Sequence, residues 1–423
     1  MGALLFVILG VLILIYCYIN VNKNQVVTVY IFCCVFFSIM AFASATYLYC
    51  NDSDEIIDIY SFIAVIIAFI CFLVGYNIAK TKKQVFNYSI VEVSKFNYRV
   101  ILLILLSAAA LYLYSQQYGG IAKTMILGNA IRSNNAGHNS MAFLKHFIPV
   151  CVTASVYLFS YIYLSKNKIG IIRRTFMLCL LGISTILTIM YILANDGRLM
   201  VGYFLLAMMI VVIKFKVEYA KVNLFKYTII TLLGFFFVWS VMVGSEKIMR
   251  EQAGGTFQSE SRNFVESFGN ELSFVERGFE AAVTKNDSYM IYNDVINGIF
   301  AWLPTSLKPI KLEDVWDYNT RLIDSTAIGQ FPCSLIAQSY YDLNIIGLFI
   351  IPFLYGIFIR LVEKILTKKD NIFAYSTYIL CCLYLGKAIM YFSMYNIMMN
   401  IFFIVISWIV MEFKKKPEVQ LIR

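Results

Sequence analysis

Two isolated positive charges interrupt long apolar runs in this sequence, each in a setting where an anion could bind. Arg198 follows Asn195-Asp196-Gly197 and opens the run Leu199 to Ile213, which as a helix covers only ~22 Å at ~1.5 Å per residue. A helix this short starts below the membrane surface. Its free backbone N–H groups would then face a cleft beside a guanidinium, a combination suited to phosphate. The alternative is an arginine that reaches to the interface and caps a tight turn. Lys387 lies ~22 Å along a run that begins at Ile372, with Tyr384 and Tyr391 on the same helical face. There it would meet an anionic headgroup or a diphosphate, or else snorkel to the interface.

Polar loops supply the other candidates. The stretch from Gly119 to Met141 carries Arg132, Asn134, Asn135, His138 and Asn139, a density of hydrogen-bonding groups that suits sugar hydroxyls. His138 is a candidate general base, with a solvated loop histidine as the alternative. In the long segment 245–331, Gly254-Gly255 marks a hinge. After it, Phe264, Phe268, Leu272, Val275 and Phe279 recur at helical spacing, which predicts an amphipathic helix lying on the membrane or over a cleft. Glu266, Glu271, Glu276, Arg277 and Glu280 then form its solvated face. Beyond Trp302 and Pro304 come Asp314, Trp316, Asp317, Tyr318, Asn319, Arg321 and Asp324, the aromatic, carboxylate and guanidinium groups that carbohydrate and phosphate recognition require. Asp52-x-Asp54 resembles paired carboxylates that hold a metal or a phosphate-linked donor, but the preferred reading is an acidic outside loop that obeys topology. There is no Gly-x-x-x-x-Gly-Lys cradle, no Gly-x-Gly-x-x-Gly turn and no His-Glu-x-x-His helix, so ATP-driven and zinc-protease readings lose their main support.

Helices must position these groups. The chain is 60% hydrophobic and 14% charged over 423 residues, too apolar for a soluble protein of this size. Its unbroken apolar runs lack the alternation of barrel strands, which leaves helices as the spanning element. The expected architecture is all-α and polytopic, a single domain 1–423 with about 11 transmembrane helices. The spans fall at 3–20, 26–49, 56–79, 100–118, 142–165, 175–194, 199–213, 227–245, 346–366, 372–394 and 396–413. Lys80, Lys82, Lys83, Lys95 and Arg99 fill one short loop, Lys166, Lys168, Arg173 and Arg174 a second, and Lys214, Lys216, Lys221 and Lys226 a third. The positive-inside rule makes these loops cytoplasmic, with the N-terminus and the large loop 245–331 outside and the C-terminus inside. That loop holds eight Lys or Arg against thirteen Asp or Glu, whereas the whole chain is formally +10. The basic excess therefore belongs to the cytoplasmic rims and to anionic membrane lipids, not to nucleic acid. The ten cysteines mostly fall within spans, behave as small apolar residues and show no metal spacing.

The arrangement resembles the O-antigen polymerases of the Wzy type. The resemblance is most specific in Phe331-Pro332-Cys333-Ser334-Leu335-Ile336-Ala337-Gln338-Ser339-Tyr340-Tyr341-Asp342-Leu343-Asn344, followed by Ile345-Ile346-Gly347 and a final group of spans. Family members often show Pro-x-Ser, then Glu, Tyr and Gly before the helix. Pro332, Ser334 and Tyr340 fit, while Gln338 replaces the Glu and Asn344 the Gly. Related O-antigen ligases usually carry a His-Asn pair near the place that Cys333-Ser334 occupies here, which favours polymerase over ligase. The resemblance implies a glycosyltransferase of the bacterial inner membrane, acting on its periplasmic face. A growing glycan leaves its polyprenyl diphosphate and joins a sugar hydroxyl of an incoming lipid-linked repeat, with a flippase and a chain-length regulator of the same pathway as partners. The resemblance implies no nucleotide, cofactor or metal, since a lipid diphosphate is already an activated leaving group. The reaction needs cations for the departing diphosphate and a base for the acceptor hydroxyl. Arg198, Arg277, Arg321 and Lys387 are the candidates for the first role and His138 or Asp317 for the second, with Arg132, Asn135, Trp316 and Tyr340 on the glycan. A lipid-linked-oligosaccharide flippase and a ligase-like transferase are the competing expectations.

Overall fold

The computed structural model describes residues 2–20, 27–51, 55–79, 97–132, 139–165, 169–194, 198–219, 272–304, 307–326, 330–369 and 371–412. The helices among them are α1 (Gly2–Asn20), α2 (Val29–Cys50), α3 (Glu55–Ile78), α4 (Arg99–Gln116), α5 (Ile121–Ile126), α6 (Gly128–Arg132), α7 (Val150–Leu164), α8 (Ile171–Ala194) and α9 (Arg198–Lys214). After an interval outside the described residues come α10 (Phe274–Lys285), α11 (Ile291–Ile299), α12 (Val315–Ile323), α13 (Leu335–Thr367), α14 (Ile372–Lys387) and α15 (Met394–Glu412). Among the described residues nine helices are long and apolar enough to cross a membrane, and α14 adds a shorter apolar one of 16 residues. The fold of the described residues is all-helical, and its apolar helices make the chain a multi-pass membrane protein. The expected span 227–245, and most of the first half of the expected loop 245–331, lie outside the described residues.

Polar side chains start the helices. Thr28 Oγ1 accepts the Ile31 amide at 3.1 Å, Asn371 Oδ1 that of Ala374 at 2.7 Å, and Ser334 Oγ that of Ala337 at 3.4 Å, each satisfying an amide that the first turn leaves free. Between helices, small residues set the closest approach. A Cβ on Gly75 of α3 would lie 2.0 Å from the Phe353 carbonyl oxygen of α13, and one on Gly356 of α13 would lie 2.2 Å from that of Phe72. Backbone therefore meets backbone along this crossing, as helices in lipid do where dispersion replaces the hydrophobic drive.

One end of the bundle is tied by buried charge. Glu363 accepts from the Tyr30 amide at 3.0 Å, the Tyr76 hydroxyl at 2.6 Å and the Tyr378 hydroxyl at 3.2 Å, with Arg360 3.7 Å away. These bonds join α2, α3, α13 and α14, and because each carboxylate oxygen has partners the burial cost is offset. Lys214 Nζ donates to the Val27 carbonyl at 2.9 Å, and Arg99 Nη1 to that of Met411 at 2.7 Å.

The opposite end is capped by α10, α11 and α12. There α13 is broken: Leu343 (φ −138°, ψ 19°) and Asn344 (φ 56°, ψ −145°) leave the helical region, so a buried leg, residues 335–342, precedes the long span. Asn344 is the one non-glycine with positive φ among the described residues, a conformation that Gly and Asn tolerate best. The expected span at 346–366 is thus extended by a separate leg rather than by a continuous helix. Likewise α14 ends at Lys387, short of the expected 394, and residues 388–393 form a turn packed under the cap. Within it the Leu335 amide donates to the Ile389 carbonyl at 2.9 Å and the Phe392 amide to that of Cys333 at 2.7 Å. Cys50 and Cys333 are both free thiols, the first exposed and the second buried.

Asp294 of α11 fixes the start of α15. Its two carboxylate oxygens accept the Met394 amide at 2.9 and 3.1 Å, while Gly298, one turn on, lies so close that a Cβ would meet Met394 Cγ at 2.1 Å. Burial, reinforced by Asp342 and Asp314, holds the Asp294 carboxyl well above its usual range. A neutral acceptor is enough for the cap, so Asp294→Asn is expected to keep most of the thermal stability of the detergent-solubilised protein. Asp294→Ala, which leaves the amide without an acceptor, should lower stability by about 1–2 kcal/mol. Equal melting temperatures for the two variants would remove the capping role.

Candidate functional site

The last residue of α14 is Lys387, at the capped end. Its ammonium lies 5.0 Å from the ring centroid of Tyr384, one turn back, and 5.1 Å from that of Tyr203 on α9. The residue is 9% exposed and has no hydrogen bond or ion pair among the described residues. The ring faces supply partial negative charge but no counter-ion, which leaves a desolvated cation with its charge unspent. Tyr203 is five residues into α9, so the helix start at Arg198 lies ~7.5 Å along the axis at ~1.5 Å per residue. The two isolated charges singled out in the sequence therefore belong to helices that meet at the same end of the bundle.

A roof of aromatic rings covers this corner. The Tyr391 ring, in the turn after α14, meets Phe274 of α10 at 5.0 Å and Trp316 of α12 at 6.4 Å. Trp316 Nε1 donates to the Phe392 carbonyl at 3.0 Å, which fastens α12 onto the same turn. Trp316 thus reaches the Lys387 corner, though its indole N–H is already committed to the backbone.

The other expected site residues are distributed over the cap. Arg277 is on the exposed side of α10, against the Tyr47 hydroxyl and within electrostatic reach of Asp324. Tyr340 packs on Phe279 of α10 at 5.9 Å and on Tyr60 of α3 at 6.5 Å. On the outer face of α12, Arg321 makes a two-point pair with Glu313 at 3.2 and 3.0 Å and lies 5.2 Å from the Tyr318 ring. That pair is half exposed, so it is weak and open to exchange for a phosphate. Asp317 is exposed and accepts from Gln330 Nε2 at 2.6 Å. The Arg198 and Arg132 side chains, and all of Asn135 and His138, lie outside the described residues.

Three groups gain importance only in the folded chain. Asp314, just ahead of α12, has a buried Oδ1 with no partner. Burial and the neighbouring Asp317 push its carboxyl up to about 6, against the amides of Val315 and Trp316 and the cation of Lys308. Lys308 lies 4.8 Å from the Tyr395 ring, and its own burial pulls its pKa down. A carboxyl poised near neutrality with a free oxygen is better suited to receive a proton than the solvated Asp317 three residues on. Glu276, expected on a solvated face, is instead 2% exposed. α10 does not lie on a flat surface but packs against α2, α3, α12 and α13, so more than one of its faces is covered. Sequence periodicity ranks Val275 and Phe279 as buried and cannot rank Glu276, because the second contact face comes from distant helices.

The corner combines an ammonium at a helix end that no described residue neutralises, a second helix beginning with a guanidinium-bearing residue, and an aromatic roof. Chemically it can hold an anion at the edge of an apolar bundle. No family model, curated protein or solved structure matches the chain, and its chemistry rests on these residues alone.

Proposed function

We propose that the chain is a polymerase of the O-antigen type, which joins polyprenyl-diphosphate-linked oligosaccharide repeats on the outer face of the bacterial inner membrane, with the capped end outward. The observation that carries this reading is Lys387, a buried ammonium with aromatic neighbours and no counter-ion among the described residues. A lipid diphosphate offers what such a site lacks: a dense anion anchored to an apolar tail that stays in the bilayer. In the reaction the acceptor hydroxyl oxygen bonds to the anomeric carbon while the bond from that carbon to the diphosphate oxygen breaks. The diphosphate leaves with the electron pair and the hydroxyl proton passes to a base. Lys387 and Arg198 would stabilise the leaving group, and the carboxyl of Asp314 or Asp317 would take the proton. A flippase should instead be polar through its midplane, whereas the charged residues of the described spans lie toward the helix ends.

Purified protein supplied with one defined lipid-diphosphate repeat tests the reading. A ladder of longer lipid-linked glycans is expected, and repeats that cross the bilayer without being joined would establish the flippase instead. In the same assay Arg198→Ala should yield a correctly inserted protein with severely reduced extension. A wild-type ladder from that variant would exclude Arg198 from the site.

A further inference from the structure

The groove between α2 and α3 that receives α10 contains three buried polar side chains with unmet hydrogen bonds. Glu276 points into it with both carboxyl oxygens lacking a partner, and the hydroxyls of Ser44 on α2 and Ser61 on α3, both fully buried, lack partners as well. The two hydroxyls adjoin the carboxyl. Three polar groups from three helices thus converge in a buried interface, close to one another but outside hydrogen-bond geometry.

The surrounding charges rule out an ordinary ion pair. From α3, Asp58 faces Glu276, and from α10 itself Glu280 does, both with the wrong sign to stabilise a carboxylate. Arg277 of α10 is turned outward to the Tyr47 hydroxyl of α2. α13 contributes Tyr341, whose hydroxyl lies 2.8 Å from Asn319 Oδ1 of α12 and 3.2 Å from the Gly278 carbonyl, and Tyr340, which packs on Phe279. No cation faces Glu276 among the described residues. An ionised carboxylate in this place would be desolvated and repelled, with only the two neighbouring serine hydroxyls to favour it; burial outweighs them, so the group that docks is the neutral acid.

We propose that Glu276 is a protonation latch: α10 is held in the α2–α3 groove while this carboxyl carries a proton, and loss of the proton frees the helix. Phe274, on the same helix, lies against Tyr391 beside Lys387, so the latch also controls how far the Lys387 corner is covered. Burial raises the docked carboxyl from 4.5 to about 7, so the docked state binds more protons than the released one. The proton's contribution to docking is therefore complete below pH 4.5, declines as pH rises from 4.5 to about 7, and is gone above that.

Hydrogen–deuterium exchange of residues 274–285 in the full-length protein, followed from about pH 5 to about pH 8.5 and corrected for intrinsic exchange, tests this. In the wild type, protection is expected to fall by at least tenfold across the neutral range. Glu276→Gln, a neutral side chain of the same shape, should stay protected throughout, and Glu280→Gln should follow the wild type. Protection that does not change with pH in the wild type, or that falls equally in Glu276→Gln, would overturn the latch. So would a Glu276→Gln protein that cannot be isolated folded, because a neutral group at this position is what the latch requires.

Discussion

Lys387→Met is expected to leave a folded, membrane-inserted protein whose chain extension falls by about 100-fold or more, the usual cost of removing one charge-stabilising donor from a reacting centre. Methionine keeps the aliphatic stem between Tyr203 and Tyr384 and removes only the ammonium. The accompanying change in stability separates this from a structural effect. A buried cation with no counter-ion among the described residues opposes folding, so its removal should leave the melting temperature unchanged or raise it. Activity and stability would then move in different directions, which a damaged core cannot produce. Glycan ladders and thermal unfolding measured on one preparation check both. A Lys387→Met protein that melts well below the wild type would mark Lys387 as a packing residue, and one that extends chains normally would remove it from the site.

The bundle was legible because apolar runs report what the bilayer demands. Ile372 opens its helix where the run begins, and both Arg198 and Lys387 were visible as charges out of place. The errors fall where hydropathy reflects burial and not conformation. Ala388, Ile389 and Met390 continue the apolar run of α14 because they are buried beneath the cap, yet the helix has ended at Lys387. At the other junction, Leu335 to Ser339 fall between the expected loop and the expected span but form a buried helical leg, since the break at Asn344 depends on one backbone conformation.

Partnerships across the sequence were equally out of reach. Arg321 and Asp317 are the residue types that phosphate and sugar binding call for, but Glu313 and Gln330 engage them, a pairing that only the fold of the cap establishes. The same holds for Tyr203: it comes to matter because α9 and α14 meet, and nothing in its own segment marks it. The candidate chemistry was thus readable as isolated residue types, while the grouping that makes Lys387 and Asp314 the stronger candidates is a tertiary property.

Gly347→Ala is expected to be the most damaging single added methyl among the described glycines. The break at Leu343 and Asn344 folds the leg 335–342 back against the start of the long span, and Gly347 sits at that contact. A Cβ there would lie 1.8 Å from the Ser339 carbonyl oxygen, with Leu343 Cβ at 3.3 Å. The obstacle is helical backbone, so no rotamer change relieves it. The leg would have to swing away, carrying the Leu335–Ile389 and Cys333–Phe392 backbone bonds that seat the turn after Lys387. The loss should therefore exceed the about 1–3 kcal/mol of ordinary overpacking and disturb the Lys387 corner at the same time. Expression with a fluorescent tag and size-exclusion chromatography in detergent should show little or no monodisperse protein, whereas Asn344→Gly, which accepts the same positive φ, should elute as the wild type does. If Gly347→Ala also elutes as a single sharp peak, the two legs are not in contact, and the break in α13 does not position the turn that carries the site.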